Sequence, residues 1–346
     1  MKLAQVEIGA GLRPFVVAEI SGNHAQSLDT AVRLVEGAWA AGASAVKLQT
    51  FVPELMTLDS DLPAYQANPA GPWKGQKLID LYRRSALSFE AQRRLFAHCA
   101  QKGILLFSAP FDVPSVEFLE SVHNPIYKIA SFELVHLPLI RRVAATGKPM
   151  IVSTGMATVA EITEAVDAIR AAGVRELVLL KCTSSYPAPP AESNLAAIPK
   201  LRELFGCEVG LSDHTLGIGA AVAAVALGAS VIEKHVTLDR AADGIDAAFS
   251  LELPEFAALV AEANRAAQSL GSAAIGPSAA EAAARERRRS LFVVADVRKG
   301  EAFTQANVGV LRPALGLAPK HLDEVLRRRA ARDMPAGTPL AWEDCA

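Results

Sequence analysis

The sequence is poor in cysteine and almost free of net charge, and both shortages exclude classes of protein. Its four cysteines stand far apart, without a Cys-x-x-Cys pair, so neither a disulfide framework nor a cysteine-rich zinc site is expected. Lysine and arginine number 35 against 37 aspartates and glutamates, which leaves a net charge of −2. A nucleic-acid-binding protein would carry a basic surface. We therefore expect no nucleic-acid partner.

Long hydrophobic runs are scarce as well. Residues 215–232 carry no charge, but Gly217, Gly219 and Gly228 interrupt them, and a membrane span needs about 20 apolar residues. A buried helix that leads into a buried strand explains this stretch better. The N-terminal residues lack the apolar run of a signal peptide. We expect a soluble, cytoplasmic protein without a membrane partner.

A regular alternation of strand-like and helix-like segments fills the first 271 residues. Helix boundaries are predicted by Ser27, by a capping box of Thr158 and Glu161, and by Ser88 with Gly103. Such alternation is typical of parallel strands joined by helical crossovers. Eight units of this size predict a (β/α)8 TIM barrel. The predicted strands are 15–20, 45–50, 104–108, 126–130, 149–153, 177–181, 208–212 and 231–235.

An open doubly wound sheet is the alternative architecture, and a glycine-rich dinucleotide loop would support it. The candidate loop, Gly217-x-Gly219-x-x-Val222, lacks the third glycine. The barrel is therefore the better interpretation.

The C-terminal part of the chain has a different composition. Residues 272–289 are rich in alanine and end in an arginine cluster, and 290–346 contain short apolar runs between Gly and Pro turns. We predict a barrel domain over 1–271, a linker over 272–289 and a small β-rich domain over 290–346.

Polar side chains follow the apolar part of every predicted barrel strand. Strands buried on both faces should be apolar throughout, and a barrel brings the carboxyl ends of its strands to one face, where such enzymes place their chemistry. The lysines, with several hydroxyls, suit a small polyanion. The strand-end residues include Glu19, Lys47, Gln49, Ser108, Lys128, Ser131, Glu133, Ser153, Lys181, Ser184, Tyr186, Ser212, His214, Glu233 and His235.

Two of these groups have alternative interpretations. His214 and His235 follow neighbouring strands and could bind one divalent metal, or they could be two unrelated polar histidines. Glu19 and Glu233 suit acid–base chemistry or the positioning of water, but ion pairing with the lysines explains them equally well.

Six motifs occur in order along the chain: residues 18–24 (AEISGNH), 47–50 (KLQT), 127–131 (YKIAS), 153–156 (STGM), 210–215 (GLSDHT) and 233–235 (EKH). Together they resemble the sialic acid synthase family. The C-terminal part is similar to the antifreeze-like (SAF) domain of that family. The resemblance implies condensation of phosphoenolpyruvate with an open-chain amino sugar, which gives a nine-carbon 2-keto acid and phosphate. It also implies a divalent metal, Mn²⁺ or Mg²⁺, and a domain-swapped homodimer.

The resemblance assigns roles residue by residue. His214 and His235 would bind the metal, and Arg312 would reach the partner's active site. The residues that would face the sugar carbonyl, the water or the metal shell are Glu19, Glu133, Glu233 and Asp246. Those that would bind substrate, chiefly the phosphate and carboxylate of phosphoenolpyruvate, are Lys47, Gln49, Lys128, Ser131, Ser153, Ser184 and Ser212, and Tyr186 would line the pocket.

Two residues depart from the family pattern, and one segment indicates a branch. Ala109 stands where the family has threonine, and Ser184 where it has asparagine. Residues 240–251, with Leu48, look like the branch that makes pseudaminic acid from a 6-deoxy-2,4-diacetamido sugar. Phe249 and Leu48 would then lie near that sugar. Three alternatives stay open: legionaminate or N-acetylneuraminate synthesis, a catalytically inactive binding protein on the same barrel, and a Schiff-base aldolase.

Overall fold

The computed structural model describes residues 1–9, 11–68, 71, 73–241 and 244–346. The chain forms two compact units, Met1–Gly271 and Ser272–Ala346. The first unit is a closed parallel barrel surrounded by helices, because each barrel strand pairs with the next and the last pairs with the first. The predicted TIM barrel is confirmed.

The strands of the first unit comprise a short N-terminal hairpin, the eight barrel strands and one short strand beside the last of them. In chain order they are β1 (Lys2–Leu3), β2 (Val6–Glu7), β3 (Phe15–Glu19), β4 (Ala45–Thr50), β5 (Leu106–Pro110), β6 (Tyr127–Ile129), β7 (Met150–Ser153), β8 (Leu177–Cys182), β9 (Glu208–Asp213), β10 (Val231–Thr237) and β11 (Leu251–Glu252). In the register of the barrel, Glu19 pairs with both Lys47 and His235.

Helices connect the barrel strands, and two additional short helices lie between β4 and the helix before β5. The predicted helix boundaries hold: Ser27 and Ser88 cap their helices, Thr158 and Glu161 form a capping box, and Gly103 ends a helix with φ 69°. The helices are α1 (Leu28–Ala40), α2 (Pro53–Met56), α3 (Leu78–Ser85), α4 (Phe89–Lys102), α5 (Val113–Ser121), α6 (Leu137–Ala144), α7 (Val159–Ala171), α8 (Ala197–Phe205), α9 (Gly219–Ala226) and α10 (Leu253–Ser269).

All eight predicted barrel strands exist, but the third begins two residues later than predicted. The backbone N–H of Ile104 donates to the Cys99 carbonyl at 2.9 Å and so completes the end of α4. The uncharged stretch 215–232 contains α9 and the start of β10, as predicted. Among the described residues, no helix is both long enough and apolar enough to cross a membrane.

The barrel interior has an apolar lower half. Its cluster contains strand residues such as Phe15, Phe107 and Ile151, and no residue from a helix. Leu3 and Ile8 of the N-terminal segment belong to the same cluster and are at most 1% exposed. Because side chains alternate along a strand, the next inward positions towards the carboxyl ends form the site described below.

The second unit has a small core of its own. Strands β12 (Ser290–Val293) and β13 (Val308–Leu311) pair antiparallel, with helices α11 (Ala279–Arg285) and α12 (Leu322–Val325) before and after them. The core includes Leu291, Val293 and Leu340. Helix α11 lies within the segment predicted as a linker, and none of its side chains is buried.

Candidate active site

The upper half of the barrel interior is polar. Each inward polar residue lies two or four positions beyond an inward apolar residue or glycine: Val17 precedes Glu19, Ala45 precedes Lys47, and Val231 precedes Glu233. The inward set is Glu19, Lys47, Gln49, Lys128, Ser153, Cys182, Ser212, His214, Glu233 and His235. Apart from half-buried Gln49, these residues are buried. The alternation therefore gathers the predicted strand-end residues at one end of the barrel.

Buried charges stand at the centre of this group. Glu233 Oε1 lies 3.6 Å from Lys47 Nζ and 3.7 Å from Lys128 Nζ, and Ser212 Oγ donates to it at 3.2 Å. Lys47 also contacts Glu19 directly. Lys128 donates to Ser153 Oγ at 2.7 Å. The two ammonium groups and these hydroxyls form the donor-rich floor predicted for a small polyanion.

Burial and ion pairing oppose each other in setting the pKa values of Lys47 and Glu233. Burial lowers the pKa of Lys47 to about 8, although Glu233 opposes the shift. Burial alone would raise the pKa of Glu233, but Lys128 and Lys47 outweigh it and hold the pKa below its ordinary value. Anionic Glu233 thus stabilises the ammonium form of Lys47.

Gly155 lies against the hydroxyl groups of two serines. Its backbone N–H donates to Ser131 Oγ at 3.1 Å. A methyl group at this position would overlap Ser184 Oγ and would lie 2.8 Å from Ser131 Oγ. The missing side chain therefore lets the Ser131 and Ser184 hydroxyls approach the Gly155 backbone closely.

The two predicted metal ligands lie side by side. The ring centroids of His214 and His235 are 5.3 Å apart. His214 Nδ1 is 2.9 Å from the Thr183 carbonyl oxygen, so this nitrogen carries a proton and Nε2 is the nitrogen that could bind a metal. Burial alone would lower the pKa of His214, but Cys182 and the Thr183 carbonyl outweigh it and raise the pKa. Burial holds the pKa of His235 well below its ordinary value. Its Nδ1 has no hydrogen-bond partner among the described residues and lies 3.7 Å from Asp246 Oδ2.

This donor set fits a divalent metal whose remaining ligands are oxygens. Two imidazoles with an adjacent carboxylate suit several transition-metal ions. The described part of the chain gathers no cluster of three or more His, Cys, Asp or Glu ligands. Oxygens of substrate or water would therefore complete the coordination shell.

The segment that carries Asp246 is fixed by residues that sequence reasoning missed. Asn23 Oδ1 accepts from the Asp246 N–H at 3.0 Å, while its Nδ2 donates to the Val236 carbonyl and to Ser250 Oγ, both at 2.9 Å. Ser21 Oγ donates to the Asp246 carboxylate. Burial raises the pKa of Asp246. The motif at residues 18–24 was the available signal for Ser21 and Asn23.

Cys182 is a second residue that sequence reasoning missed. Its Sγ lies 3.9 Å from His214 Nδ1 and 3.9 Å from Ser184 Oγ. Burial alone would raise the pKa of this thiol, but His214 outweighs burial and lowers it to about 7. Its position one residue beyond Lys181 was the signal, since only one of two neighbouring strand residues can face inward.

Aromatic rings flank the imidazoles. Tyr186, predicted to line the pocket, has its ring centroid 4.4 Å from that of His214. Phe249, expected near the sugar, lies 5.2 Å from His235 by the same measure. Trp73, which no motif indicated, packs against both Tyr186 and Phe249.

Three strand-end expectations are wrong because the side chains lie on the opposite face of their strands. Lys181 is half-buried and donates to the Cys182 carbonyl and to Thr183 Oγ1. Ser108 Oγ lies 2.6 Å from Thr50 Oγ1, on the helix-facing side. Leu48 belongs to the outer cluster that packs against the helices.

The other predicted residues have clear positions. Glu133 ends a short 3₁₀ turn, and burial raises its pKa to about 7. Ala109, where the family has threonine, pairs with Gln49 on the inward side. Arg312 lies in the second unit. Ala242 and Asp243, in the run 240–251 that indicated the pseudaminate branch, lie outside the described residues.

Comparisons with known proteins show the family of the chain. Residues 34–274 match the NeuB family, and residues 288–346 match the SAF domain. Pseudaminic acid synthase of Campylobacter jejuni is 41% identical over 95% of this chain and 96% of that protein. N,N'-diacetyllegionaminic acid synthase of the same species is 35% identical over 93% of this chain and 97% of that protein.

A solved structure supports the same assignment. The crystal structure of N-acetylneuraminic acid (sialic acid) synthetase from Leptospira borgpetersenii, in complex with citrate, matches with a TM-score of 0.73 and 33% identity. The match covers 81% of this chain and 93% of that chain. The resemblance drawn from the strand-end motifs is confirmed. The chain belongs to the NeuB family, carries a C-terminal SAF domain, and is a nonulosonic acid synthase, a transferase that forms a carbon–carbon bond.

Proposed function

We propose that this enzyme is a pseudaminic acid synthase. It condenses phosphoenolpyruvate with 2,4-diacetamido-2,4,6-trideoxy-L-altrose and water, and it releases pseudaminic acid and phosphate. The choice of branch is supported by the greater identity to a pseudaminic acid synthase, 41%, than to a legionaminic acid synthase, 35%.

One observation carries the proposal: a buried pair of lysines lies below a pair of imidazoles in the same barrel. Lys47 and Lys128 approach the same oxygen of Glu233, and His235 follows Glu233 by two residues on β10. Two residues of a strand span about 7 Å. That distance suits a three-carbon dianion held at the lysines with its reactive carbon directed at a second substrate near the imidazoles.

The floor of the site binds and orients phosphoenolpyruvate. Lys47 and Lys128 neutralise its phosphate and carboxylate, and the hydroxyls of Ser131, Ser153 and Ser184 donate to their oxygens. Fixing the anion in this way holds C3 towards the sugar aldehyde, which lowers the entropic cost of carbon–carbon bond formation. Ser212, bonded to Glu233, completes the lining.

The reaction then needs two proton movements that carboxyl groups of the site can perform. C3 of phosphoenolpyruvate attacks the aldehyde carbon, and the aldehyde oxygen takes up a proton from Glu133, whose pKa of about 7 suits an acid at neutral pH. Water adds to the cationic C2 and gives its proton to Glu233, whose Oε2 is buried without a hydrogen-bond partner in the described part of the chain. The C2–O bond to the phosphate then breaks, and the C2 hydroxyl gives its proton to the departing phosphate, which leaves the 2-keto acid.

His214 and His235, with Asp246 beside them, would hold a divalent cation such as Mn²⁺ or Mg²⁺. When bound, this cation supplies Lewis-acid polarisation of the sugar carbonyl. The Asp246 carboxylate, 3.7 Å from His235 Nδ1, would add negative charge beside that cation.

The decisive experiment is a substrate panel. Purified full-length enzyme with Mn²⁺ receives phosphoenolpyruvate and, in separate assays, the amino sugar precursors of pseudaminic, legionaminic and N-acetylneuraminic acids. We expect phosphate release and a nine-carbon product, identified by mass spectrometry, with the first sugar. Preference for another precursor would reassign the branch. Absence of phosphate release with every sugar, from protein that binds phosphoenolpyruvate, would favour a binding protein instead.

A domain-swapped homodimer is the second part of the proposal, and the family resemblance supports it. Arg312 of one protomer would then act on the sugar in its partner's barrel. We expect Arg312→Ala and His214→Ala variants to be inactive alone and to regain activity when unfolded and refolded together, because a mixed dimer contains one intact composite site. A mixed dimer without regained activity, or a monomeric active enzyme, would contradict the swap.

A further inference from the structure

Three aromatic side chains stand together beside the imidazoles, and we name them the aromatic wall: Trp73, Tyr186 and Phe249. Ring centroids of Tyr186 and Phe249 are 5.3 Å apart, and Trp73 lies 5.9 Å from the first and 6.5 Å from the second. These separations are typical of packed aromatic pairs.

The wall is assembled from three distant segments of the first unit. Trp73 belongs to the excursion between α2 and α3, Tyr186 follows β8, and Phe249 follows β10. The indole Nε1–H of Trp73 donates to the Ile245 carbonyl at 3.0 Å. Ile245 precedes Asp246 directly, so the indole is tied to the segment that lies against His235.

The wall adjoins the place where the sugar must lie but offers little to a hydroxyl group. Phe249 has no polar atom, and the single donor of Trp73 is already used. Tyr186 adds one hydroxyl group, at the edge of its ring. A sugar hydroxyl against Trp73 and Phe249 would lose its water without gaining a partner, whereas a methyl group would gain from burial.

We propose that the aromatic wall selects the sugar substrate: it receives an apolar substituent, the deoxy C6 methyl group, and Trp73 determines this specificity. The inference rests on the proposed function, since it names a feature of the sugar used at the same site. Trp73 acts on the sugar and not on phosphoenolpyruvate, which binds deeper in the barrel.

The test compares the 6-deoxy amino sugar with its 6-hydroxy analogue. We expect wild-type kcat/KM to favour the deoxy sugar by roughly tenfold to a hundredfold, the range available to an apolar pocket. Trp73→Ala should remove most of this preference, with the KM for phosphoenolpyruvate unchanged. Trp73→Phe should retain much of it, because a ring remains. Trp39→Phe, a substitution in α1 away from the site, is the matched control.

Two results would overturn the proposal. One is a Trp73→Ala enzyme with the wild-type preference; the other is an equal rise in the KM values of sugar and phosphoenolpyruvate, which would indicate a structural role. Absence of turnover by the wild type would refute the proposed function separately. Calorimetric binding of the two sugars to wild type and Trp73→Ala would then decide the role of the wall, since equal loss of both affinities contradicts selection.

Discussion

Two buried lysines on opposite faces of the barrel wall allow a direct test of the anion site. Lys47 points inward and contacts Glu19, while Lys234 points outward and lies 2.7 Å from Asp213. Both lysines are at most 3% exposed. Replacing either with methionine breaks a buried ion pair, which costs about 3–5 kcal/mol of folding stability. Only Lys47→Met should also abolish phosphoenolpyruvate binding.

The pKa of Lys47 supplies a second signature of this residue. Burial lowers it from 10.5 to about 8. Between these values the unfolded chain binds more protons than the folded chain, so wild-type stability rises with pH across the window. The full effect corresponds to about 3 kcal/mol. Lys47→Met should not show this rise in stability with pH.

Urea unfolding at about pH 8 and about pH 10 measures the free energy of unfolding of each variant, and calorimetry measures its affinity for phosphoenolpyruvate. The double variants Lys47→Met/Glu19→Gln and Lys234→Met/Asp213→Asn should recover part of the lost stability, because each removes the charge left alone. Only the second should bind phosphoenolpyruvate as the wild type does. Two results would refute the reasoning. One is wild-type affinity for phosphoenolpyruvate in either Lys47 variant; the other is a stability difference between wild type and Lys47→Met that is the same at both pH values.

Three further predictions concern single residues. Burial raises the pKa of Glu133 from 4.5 to about 7, so the wild-type free energy of unfolding should fall by up to about 3 kcal/mol as pH rises between these values. In urea unfolding, Glu133→Gln should not show this fall. The same dependence of stability on pH in the variant and the wild type would contradict the prediction. His235→Ala should weaken Mn²⁺ binding at least tenfold by calorimetry, as expected on loss of a ligand; unchanged affinity removes it from the metal site. Asn23→Ala loses three hydrogen bonds, so it should lower the free energy of unfolding by about 3 kcal/mol and raise the KM for the sugar. A variant with wild-type stability and wild-type KM would show that Asn23 does not hold Asp246.

The barrel was predictable because its signals are local and repeated. Each crossover carries its own helix caps and each strand its own β-branched run, so eight units emerge without knowledge of any long-range contact. To predict which strand-end side chains face the barrel interior, the alternation of side chains along each strand must also be applied. The two-residue period that turns Lys47 and Gln49 inward also turns Leu48 outward, and the same rule places Lys181 opposite Cys182.

The loops above the barrel could not be derived in this way. Trp73 reaches the site from an irregular excursion, and its position depends on a contact with Ile245, 172 residues away. Asn23 holds Asp246 across 223 residues of sequence. Such pairings follow from tertiary packing and leave no periodic pattern in the sequence.

The apolar packing of the lower barrel has a kinetic consequence. Phe15, Phe107 and the N-terminal residues Leu3 and Ile8 fill that half of the interior, so we expect reactants to enter through the mouth at the carboxyl ends of the strands. An anion held beside Lys47 and Lys128 lies deeper than a compound that touches the imidazoles. The deeper reactant must therefore arrive first, and initial-rate measurements should show ordered and not random addition.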